Sequence, residues 1–185
     1  MTMEAFLGKP WNLVVTCRPE GMRGAIDRLK YFGRFYRTGF YDVIIGNVTD
    51  REGFFETLRL ASEREDPIWR YIARMVPVDR TFPFTVPVFR ERLGELIDGM
   101  APAVPEGTFY VRIERRGHKG RIPTQEVERE MDERIVAAHA KAGRSSRVDF
   151  KEYRSVIAVE TFRDEGGVGL ILRETLERYP FLRVP

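Results

Sequence analysis

The residues best suited to chemistry follow a segment with the alternation of a β-strand. Between Tyr110 and Glu114 apolar and polar side chains alternate, and the chain then becomes basic around two glycines. This alternation predicts a strand with Phe109, Val111 and Ile113 on its inward face. The packing of a fold does not require the cations that follow. They could bind a polyanion, or they could belong to a solvated turn. The candidate phosphate ligands here are Arg112, Arg115, Arg116, Lys119 and Arg121.

Two side chains near these cations could bind a nucleobase. Tyr110 shares the outward face of the strand with Arg112, an aromatic and cationic pair typical of single-strand readers. Packing of Tyr110 under a neighbouring helix is an equal alternative. His118 lies in the basic turn, where stacking on a base or binding a phosphate is favoured over a passive surface position. The other histidine, His139, is interpreted as an ordinary helix surface residue.

A second basic segment follows a predicted helix of about 18 residues. It runs from Lys141 to Arg154 with five Arg or Lys against two acids, and its candidate phosphate ligands are Arg147 and Lys151. The helix separates the two basic segments by on the order of 27 Å, which exceeds the reach of one small anion. This spacing favours a polymer such as RNA or DNA, although the two segments could also serve unrelated ends of the protein.

The helix between the basic segments is acidic. Glu126 with Glu130, or Glu130 with Glu133, could form a catalytic carboxylate pair on one helix face. Stabilisation of the helix dipole and an i,i+4 pair between Glu130 and Arg134 are enough to explain the acids, and this structural interpretation is favoured. Because no nucleophile or metal-ligand spacing accompanies them, we predict no catalytic residue, metal or cofactor.

Composition limits the class of protein. The chain of 185 residues is 43% hydrophobic and carries a net charge of +3, so a nucleic-acid site must arise from local segregation of charge. The single Cys17 excludes an internal disulfide and suits a reducing cytoplasm. The start, Met1–Glu4, has no basic region leading to an apolar run, so we predict no secretion signal. No apolar run approaches 18 residues, so we predict no membrane span.

The first half has the β-α-β-β-α-β order of a ferredoxin-like domain. The predicted strands are Leu13–Thr16, Phe35–Thr38, Phe40–Val48 and Trp69–Val76, with helices ending near Tyr31 and spanning Arg51–Glu65. Pro77, Pro83 and Pro87 then predict an interdomain crossing, because proline interrupts helices and central strands.

The second half alternates strands and helices. We predict a helix over Val88–Met100, a strand from Thr108, a helix capped by Thr124 and stopped by Gly143, strands over Ser155–Phe162 and Val168–Leu172, a hairpin turn at Glu165–Gly169, and a short helix ending near Tyr179. The expected fold class is therefore α+β, with a ferredoxin-like domain over residues 1–80 and an α/β domain over residues 87–185.

The second half resembles the THUMP domain, an RNA-binding module of tRNA-modifying enzymes. The matching features are the strand Phe109–Ile113 with its basic turn, the helix Gln125–Ile135, and the pair Val148-Asp149 ahead of Val156–Glu160. Leu176–Phe181, Phe35–Val48 and Ala73–Val78 resemble the standalone branch, the adaptor of tRNA cytidine acetylation. In the family, a ferredoxin-like domain precedes the THUMP domain.

The resemblance implies tRNA binding, often near the acceptor stem and 3′ end. It does not imply catalysis here, because fused relatives place a catalytic domain beyond these modules and this chain stops at Pro185. We expect a cytoplasmic, non-catalytic adaptor that presents tRNA to a separate modifying enzyme, with cytidine acetylation as the reaction. The alternatives are a ferredoxin-like small-molecule sensing or oligomerisation module, and a metal-dependent hydrolase that uses Glu130.

Overall fold

The computed structural model describes residues 8–185, so Met1–Glu4, considered above for a targeting signal, lies outside the described residues. The chain divides into two compact units. One comprises the chain up to Val78 together with Leu176–Arg183, and the other comprises Asp79–Thr175 with Val184–Pro185. The predicted boundaries, 1–80 and 87–185, stay a prediction. The predicted α+β class is confirmed.

The first unit is a four-stranded antiparallel sheet with two helices. Its elements are β1 (Leu13–Cys17), α1 (Met22–Leu29), β2 (Gly33–Arg37), β3 (Val43–Val48), α2 (Arg51–Glu63) and β4 (Ile72–Pro77). The strand order is β2-β3-β1-β4, the arrangement of the ferredoxin-like pattern. Leu13, Val15 and Ile44 lie in the core with Leu29 of α1 and Phe55 of α2.

The second unit is a five-stranded mixed sheet. Its elements are β5 (Arg80–Pro83), α3 (Phe89–Met100), β6 (Gly107–Arg116), α4 (Thr124–Lys141), β7 (Ser146–Val148), β8 (Ser155–Phe162), β9 (Glu165–Leu172) and the start of α5 (Arg173–Arg178). The strand order is β5-β9-β8-β6-β7, with β6 parallel to both β7 and β8. Phe109, Val111 and Ile113 of β6 contribute to a core with α3 and α4, as their alternation predicts.

The end of the chain returns to the first unit. The rings of Tyr179 and Phe181 lie 5.6 and 6.0 Å from the ring of Phe55, and Leu182 forms a parallel bridge with Met75 of β4. These apolar side chains complete the core of the first unit.

The stretch containing Pro77, Pro83 and Pro87 is predicted to hold no continuous helix or central strand. Residues 80–83 within it form β5, an edge strand that pairs with β9, where a terminal Pro83 removes no interior hydrogen bond. One strand prediction is wrong. Trp69, expected to open a strand, lies in a 3₁₀ turn over Pro67–Arg70, because Asp66 caps this turn by accepting a hydrogen bond from the Ile68 N–H. Strand β4 begins at Ile72.

The hairpin turn and one helix cap also differ from expectation. The turn between β8 and β9 lies at Arg163 and Asp164, and the glycines expected in it belong to β9. Gly166 has a packing reason to be there, since a Cβ at this position would lie 2.5 Å from the Phe82 ring of β5. Thr124 is the first residue of α4 and makes no capping hydrogen bond, whereas Gly143, with φ +71°, follows the end of α4 as predicted.

Across residues 8–185, none of the helices combines the length and the apolar character needed to cross a bilayer.

Candidate nucleic-acid interface

Strand β6 and helix α4 form the framework of the site. Strand β7 pairs with β6 from Gly107 to Phe109 and then ends. Beyond it, the N–H of Val111 donates to Oδ1 of Asp132 at 2.8 Å, and the N–H of Ile113 donates to Oε1 of Glu128 at 2.7 Å. Two carboxylates of α4 therefore take the place of a neighbouring strand and fix the helix along β6.

Two other acids of α4, Glu126 and Glu130, pair with helix α3. Arg90 donates to Glu126 at 2.9 Å and to Glu130 at 3.3 Å, and Arg134 donates to Asp98 at 2.8 Å. The expected pair between Glu130 and Arg134 is not the one formed, because α3 supplies partners across the helix interface. Glu126 and Glu130, considered above as a catalytic pair, therefore share the guanidinium of Arg90 and hold α4 to α3. Within residues 8–185, no group of three or more His, Cys, Asp or Glu is placed to hold a metal.

The basic turn after β6 is tightly folded. Gly117, His118 and Gly120 have φ of +97°, +50° and +75°, and the His118 carbonyl accepts from the Arg121 N–H at 3.0 Å. The His118 Nε2 lies 2.8 Å from Oδ1 of Asp164 in the β8–β9 turn, so its ring is held against the protein. This geometry leaves the side chains of Lys119 and Arg121 exposed.

The two adjacent arginines at the end of β6 have different environments. Arg115 is partly buried and donates to the Gly117 carbonyl at 2.5 Å, while its Nε is buried without a hydrogen-bond partner. Arg116 is ion-paired with Glu160 of β8, and the two side chains are 10% and 1% exposed. Arg116 could reach a phosphate only by leaving this pair, so its expected role as a phosphate ligand does not fit its position.

Tyr110 lies within an aromatic cluster. It is 8% exposed, and its ring lies 5.3 Å from that of Phe150 and 5.0 Å from that of Tyr153. Burial raises the pKa of Tyr110 to about 12. The Arg112 guanidinium lies 6.0 Å from the Tyr110 ring centroid and 3.9 Å from Glu128. The aromatic and cationic pair predicted from the sequence exists, but protein rings cover the face of Tyr110 expected to stack on a base.

The second basic segment builds a polar pocket at the start of β6. This pocket of about 260 Å³ is lined by Gly107, Thr108, Ser145, Ser146, Arg147 and Arg154. Arg154 is positioned by a hydrogen bond of 3.1 Å from its Nη1 to the Glu106 carbonyl. Gly107, with φ +113°, is needed here because a Cβ would lie 3.1 Å from the Arg154 side chain. Two guanidinium groups beside hydroxyls form a donor set that suits an oxyanion.

The residues missed by sequence reasoning in this pocket are Arg154 and the two serines. Arg154 lies inside the segment already counted as basic, so local charge could have selected it. Its direction depends on the hydrogen bond to Glu106, which no local pattern encodes. The predicted Lys151 lies nearby in the chain and is exposed, on a turn where the N–H groups of Lys151 and Glu152 donate to Asp149.

His139 is buried, contrary to the prediction of a surface residue. It is 1% exposed, its Nε2 lies 2.9 Å from the Ala101 carbonyl oxygen, and its Nδ1 is hydrogen-bonded with the Ser146 hydroxyl. The ring therefore connects the end of α3 to β7. The sequence predicts a surface position because the two hydrogen-bond partners of His139 lie 38 and 7 residues away along the chain, where no local pattern reveals them.

The candidate phosphate-binding cations thus fall into two groups at opposite ends of β6. Arg147 and Arg154 share the pocket at its start, whereas Lys119 and Arg121 lie in the turn after its end. Ten strand residues separate the groups by on the order of 33 Å.

The family of the second unit follows from a direct match. Residues 91–170 match the family model of the THUMP domain. This chain contains a THUMP domain. THUMP domains are tRNA-binding modules of tRNA modification enzymes. The match includes α4, β7 and the pocket residues Arg147 and Arg154, together with the basic turn after β6.

Solved structures share the fold across both units. TrmN from Thermus thermophilus is 20% identical, with a TM-score of 0.56 over 85% of this chain and 44% of that one. PH1313 from Pyrococcus horikoshii Ot3 is 14% identical, with a TM-score of 0.58 over 88% of this chain and 55% of that one. A 4-thiouridine synthetase solved in complex with RNA and ATP is 12% identical, with a TM-score of 0.55 over 88% of this chain and 42% of that one.

The present chain therefore spans about half the length of these three structures. At these identities the likeness concerns the fold. No curated protein matches the sequence of the chain.

Proposed function

We propose that this protein binds tRNA through the two basic groups of its THUMP domain and presents it to a separate modifying enzyme. The observation that carries the proposal is the position of exposed cations at both ends of β6 within the matched segment. Lys119 and Arg121 lie beyond one end, and Arg147 and Arg154 lie at the other. The phosphates of a folded RNA recur over such a distance, whereas a small anion fills one end.

The chemistry of each group suits backbone contact. The pocket of Arg147 and Arg154 offers guanidinium and hydroxyl donors to one phosphate. Arg112 and Lys151 provide further contacts, and Arg115 and His118 do so on leaving their bonds to the Gly117 carbonyl and Asp164. Arg116 is not included, because its guanidinium is paired with Glu160.

The finer assignment concerns the site on tRNA and the reaction. We propose contact near the acceptor stem and 3′ end, and cytidine acetylation by a separate enzyme. The resemblance of Leu176–Phe181 to the acetylation adaptors supports the reaction. The shared fold with a 4-thiouridine synthetase solved with RNA supports the ligand class.

A salt titration of tRNA binding tests the RNA contacts. Arg147→Gln with Arg154→Gln should weaken binding and lower the slope of log K against log salt by up to about two units, because each lost phosphate contact removes about one. Lys119→Gln with Arg121→Gln should do the same, and the four changes together should add. Arg92→Gln, at an exposed arginine of α3, is the matched control and should leave the slope unchanged.

Two results would count against the proposal. One is a wild-type slope in both double variants. The other is a thermal shift with metabolites but no retention of RNA, which would favour the sensing module instead. The reaction is tested separately by nucleoside mass spectrometry of tRNA from cells that lack the protein. We expect loss of acetylcytidine. Loss of a different modified nucleoside would contradict cytidine acetylation and identify the reaction that the protein serves.

A further inference from the structure

The first unit contains a run of aromatic and cationic residues that the proposed function does not use. Residues 28–41, here called the β2 segment, contain four Arg or Lys, six aromatic residues and no Asp or Glu. They comprise the end of α1, strand β2 and the turn that leads to β3. Basic side chains interleaved with aromatic ones are typical of surfaces that bind single-stranded nucleic acid.

The core of the first unit accounts for only part of this composition. Phe32 and Phe35 pack against the buried cluster, and the ring of Phe32 lies 5.1 Å from that of Phe54. Tyr31 and Tyr41, by contrast, are 81% and 78% exposed, more than any other large apolar side chain of residues 8–185. The packing of the first unit therefore does not explain why these two positions are aromatic.

The exposed residues of the β2 segment surround the edge of a sheet. Strand β2 is an edge strand with β3 as its neighbour. Tyr31 precedes β2 and Tyr41 follows it, so the two tyrosines lie at the two ends of about 17 Å of strand. Arg34 and Arg37 are exposed and lie on opposite faces of β2. A ligand that runs along this edge therefore has a cation on each side and a ring at each end.

The turn that carries Tyr41 is fixed by hydrogen bonds. The hydroxyl of the buried Thr38 donates to a carbonyl of β3 at 2.9 Å and accepts the N–H of Phe40 at 3.2 Å. The carbonyl of Asp42 accepts the N–H of Cys17 in β1 at 2.7 Å. The backbone under Tyr41 is thus ordered before a ligand arrives, which reduces the entropy lost on binding.

At the other end of β2, a cation lies beside the exposed ring. The Lys30 ammonium lies 5.6 Å from the centroid of the Tyr31 ring, so a positive charge and an aromatic plane are presented together. Lys30 also lies 3.8 Å from Asp27 in an exposed i,i+3 pair. Exposed pairs of this kind contribute little to stability, so a phosphate can displace Asp27 at small cost.

Protection of the strand edge explains only the arginines. Charged side chains on an edge strand prevent it from pairing with another chain, which accounts for Arg34 and Arg37. Exposed rings such as Tyr31 and Tyr41 have the opposite effect, since exposed apolar surface favours association. A ligand with a negative backbone and flat rings uses both features, because its phosphates pair with the cations and its bases stack on the tyrosines. An acidic peptide uses only the charges.

We infer that the β2 segment binds single-stranded RNA, with bases stacked on Tyr31 and Tyr41 and phosphates beside Arg34 and Arg37. The inference rests on the proposed function, because it gives the same RNA a further contact. This contact lies on the first unit, whereas the basic groups described above belong to the THUMP domain.

Fluorescence polarisation with a labelled oligouridylate of about ten nucleotides tests the stacking contacts. Tyr31→Ala with Tyr41→Ala should weaken binding by about tenfold or more, because each base stacked on a ring contributes to affinity. Tyr31→Phe with Tyr41→Phe keeps both rings and should bind within about twofold of wild type. Leu60→Ala, at an exposed leucine of α2, is the control for loss of exposed apolar surface and should bind like wild type.

The salt dependence of oligouridylate binding separates the phosphate contacts from stacking. Arg34→Gln with Arg37→Gln should lower the slope of log K against log salt by up to about 1.4 units, because each phosphate contact to a single strand contributes about 0.7. The tyrosine variants should keep the wild-type slope, since stacking releases no counterions. Arg64→Gln with Arg70→Gln, at exposed arginines between α2 and β4, is the matched control and should leave the slope unchanged.

Three outcomes would overturn the inference. One is wild-type binding of oligouridylate by both the tyrosine-to-alanine and the arginine-to-glutamine variants of the β2 segment. Another is a loss in the tyrosine-to-phenylalanine variant as large as that in the alanine variant, which would exclude stacking on the rings. The third is equally strong binding of a polyglutamate peptide, which would make an acidic protein the occupant.

Titration with tRNA distinguishes this inference from the proposed function. If the double variants of the THUMP basic groups lose tRNA affinity while the variants of the β2 segment bind tRNA and oligouridylate like wild type, the inference fails and the proposed function stands. If the wild type binds oligouridylate through Tyr31 and Tyr41 but does not bind tRNA, the proposed function fails and the contact on the β2 segment stands.

Discussion

Arg116 of β6 lies between Glu114 on its own strand and Glu160 on β8. The strand register sets Glu114 directly opposite Glu160, which would place two like charges side by side. The Arg116 guanidinium pairs with Glu160, lies 3.8 Å from Glu114, and stands 5.2 Å from the Phe162 ring centroid. One cation thus resolves a cross-strand repulsion in a buried part of the sheet.

Removing this cation should affect stability more than RNA binding. Arg116→Ala should lower the free energy of unfolding by about 3–5 kcal/mol, because it leaves Glu160 buried without its guanidinium partner. The double variant Arg116→Met, Glu160→Leu should recover most of the loss. Urea denaturation measures the change in stability, and titration with tRNA measures the change in RNA binding. An unchanged unfolding midpoint together with lost tRNA affinity would instead make Arg116 an RNA ligand.

The buried His139 should hold β7 to the end of α3. His139→Ala removes a buried ring and its hydrogen bonds with Ala101 and Ser146, so we expect a loss of about 2–4 kcal/mol in unfolding free energy. Ser146→Ala removes one hydrogen bond and should cost about 1 kcal/mol. Lys141→Ala, at an exposed position of α4, should stay within about 0.5 kcal/mol of wild type. Equal stability of His139→Ala and Lys141→Ala would contradict this role.

Asp132 should make stability depend on pH. Burial, with Glu128 and Glu133 nearby, raises the pKa of Asp132 to about 7 from its ordinary value of 3.8, against the lowering effect of the Val111 N–H. The folded protein holds this proton more tightly than the unfolded chain, so ionisation of Asp132 favours unfolding. Its contribution to stability is complete below about pH 4, declines as the pH rises to about 7, and is lost above that.

Asp132→Asn should flatten this decline, because the amide oxygen still accepts the Val111 N–H and carries no charge. Denaturation midpoints measured from pH 4 to pH 8 give the comparison, with Asp27→Asn, at an exposed aspartate of the first unit, as the control. If the wild type and Asp132→Asn show parallel pH profiles, Asp132 is not the titrating group.

Alternation and helix spacing were sufficient for most of the elements. The β-α-β-β-α-β order, the inward face of β6 and the end of α4 at Gly143 each depend on residues close in sequence. Strand β5 depends on a distant partner, because only an edge position beside β9 makes Pro83 acceptable. The error at Trp69 has a local cause, since Asp66 caps a 3₁₀ turn that includes Trp69 despite the β propensity of the aromatic residue.

The candidate site was less accessible from sequence than the fold. Local charge identified Lys119, Arg121 and Arg147, which are exposed. It could not distinguish them from Arg116, whose partner Glu160 is 44 residues away. Local pattern also gave no sign of the groove lined by Ala137, Ala140, Val148 and Phe150, because Val148 and Phe150 lie in a polar segment and reach α4 only through the fold.

The carboxylates that cover the rim of β6 have a consequence for association. An uncovered strand invites another chain to extend the sheet, which leads to strand addition or aggregation. Here the Val111 and Ile113 N–H groups are already bonded to Asp132 and Glu128, and α4 obstructs the approach. This rim is therefore closed to an incoming strand.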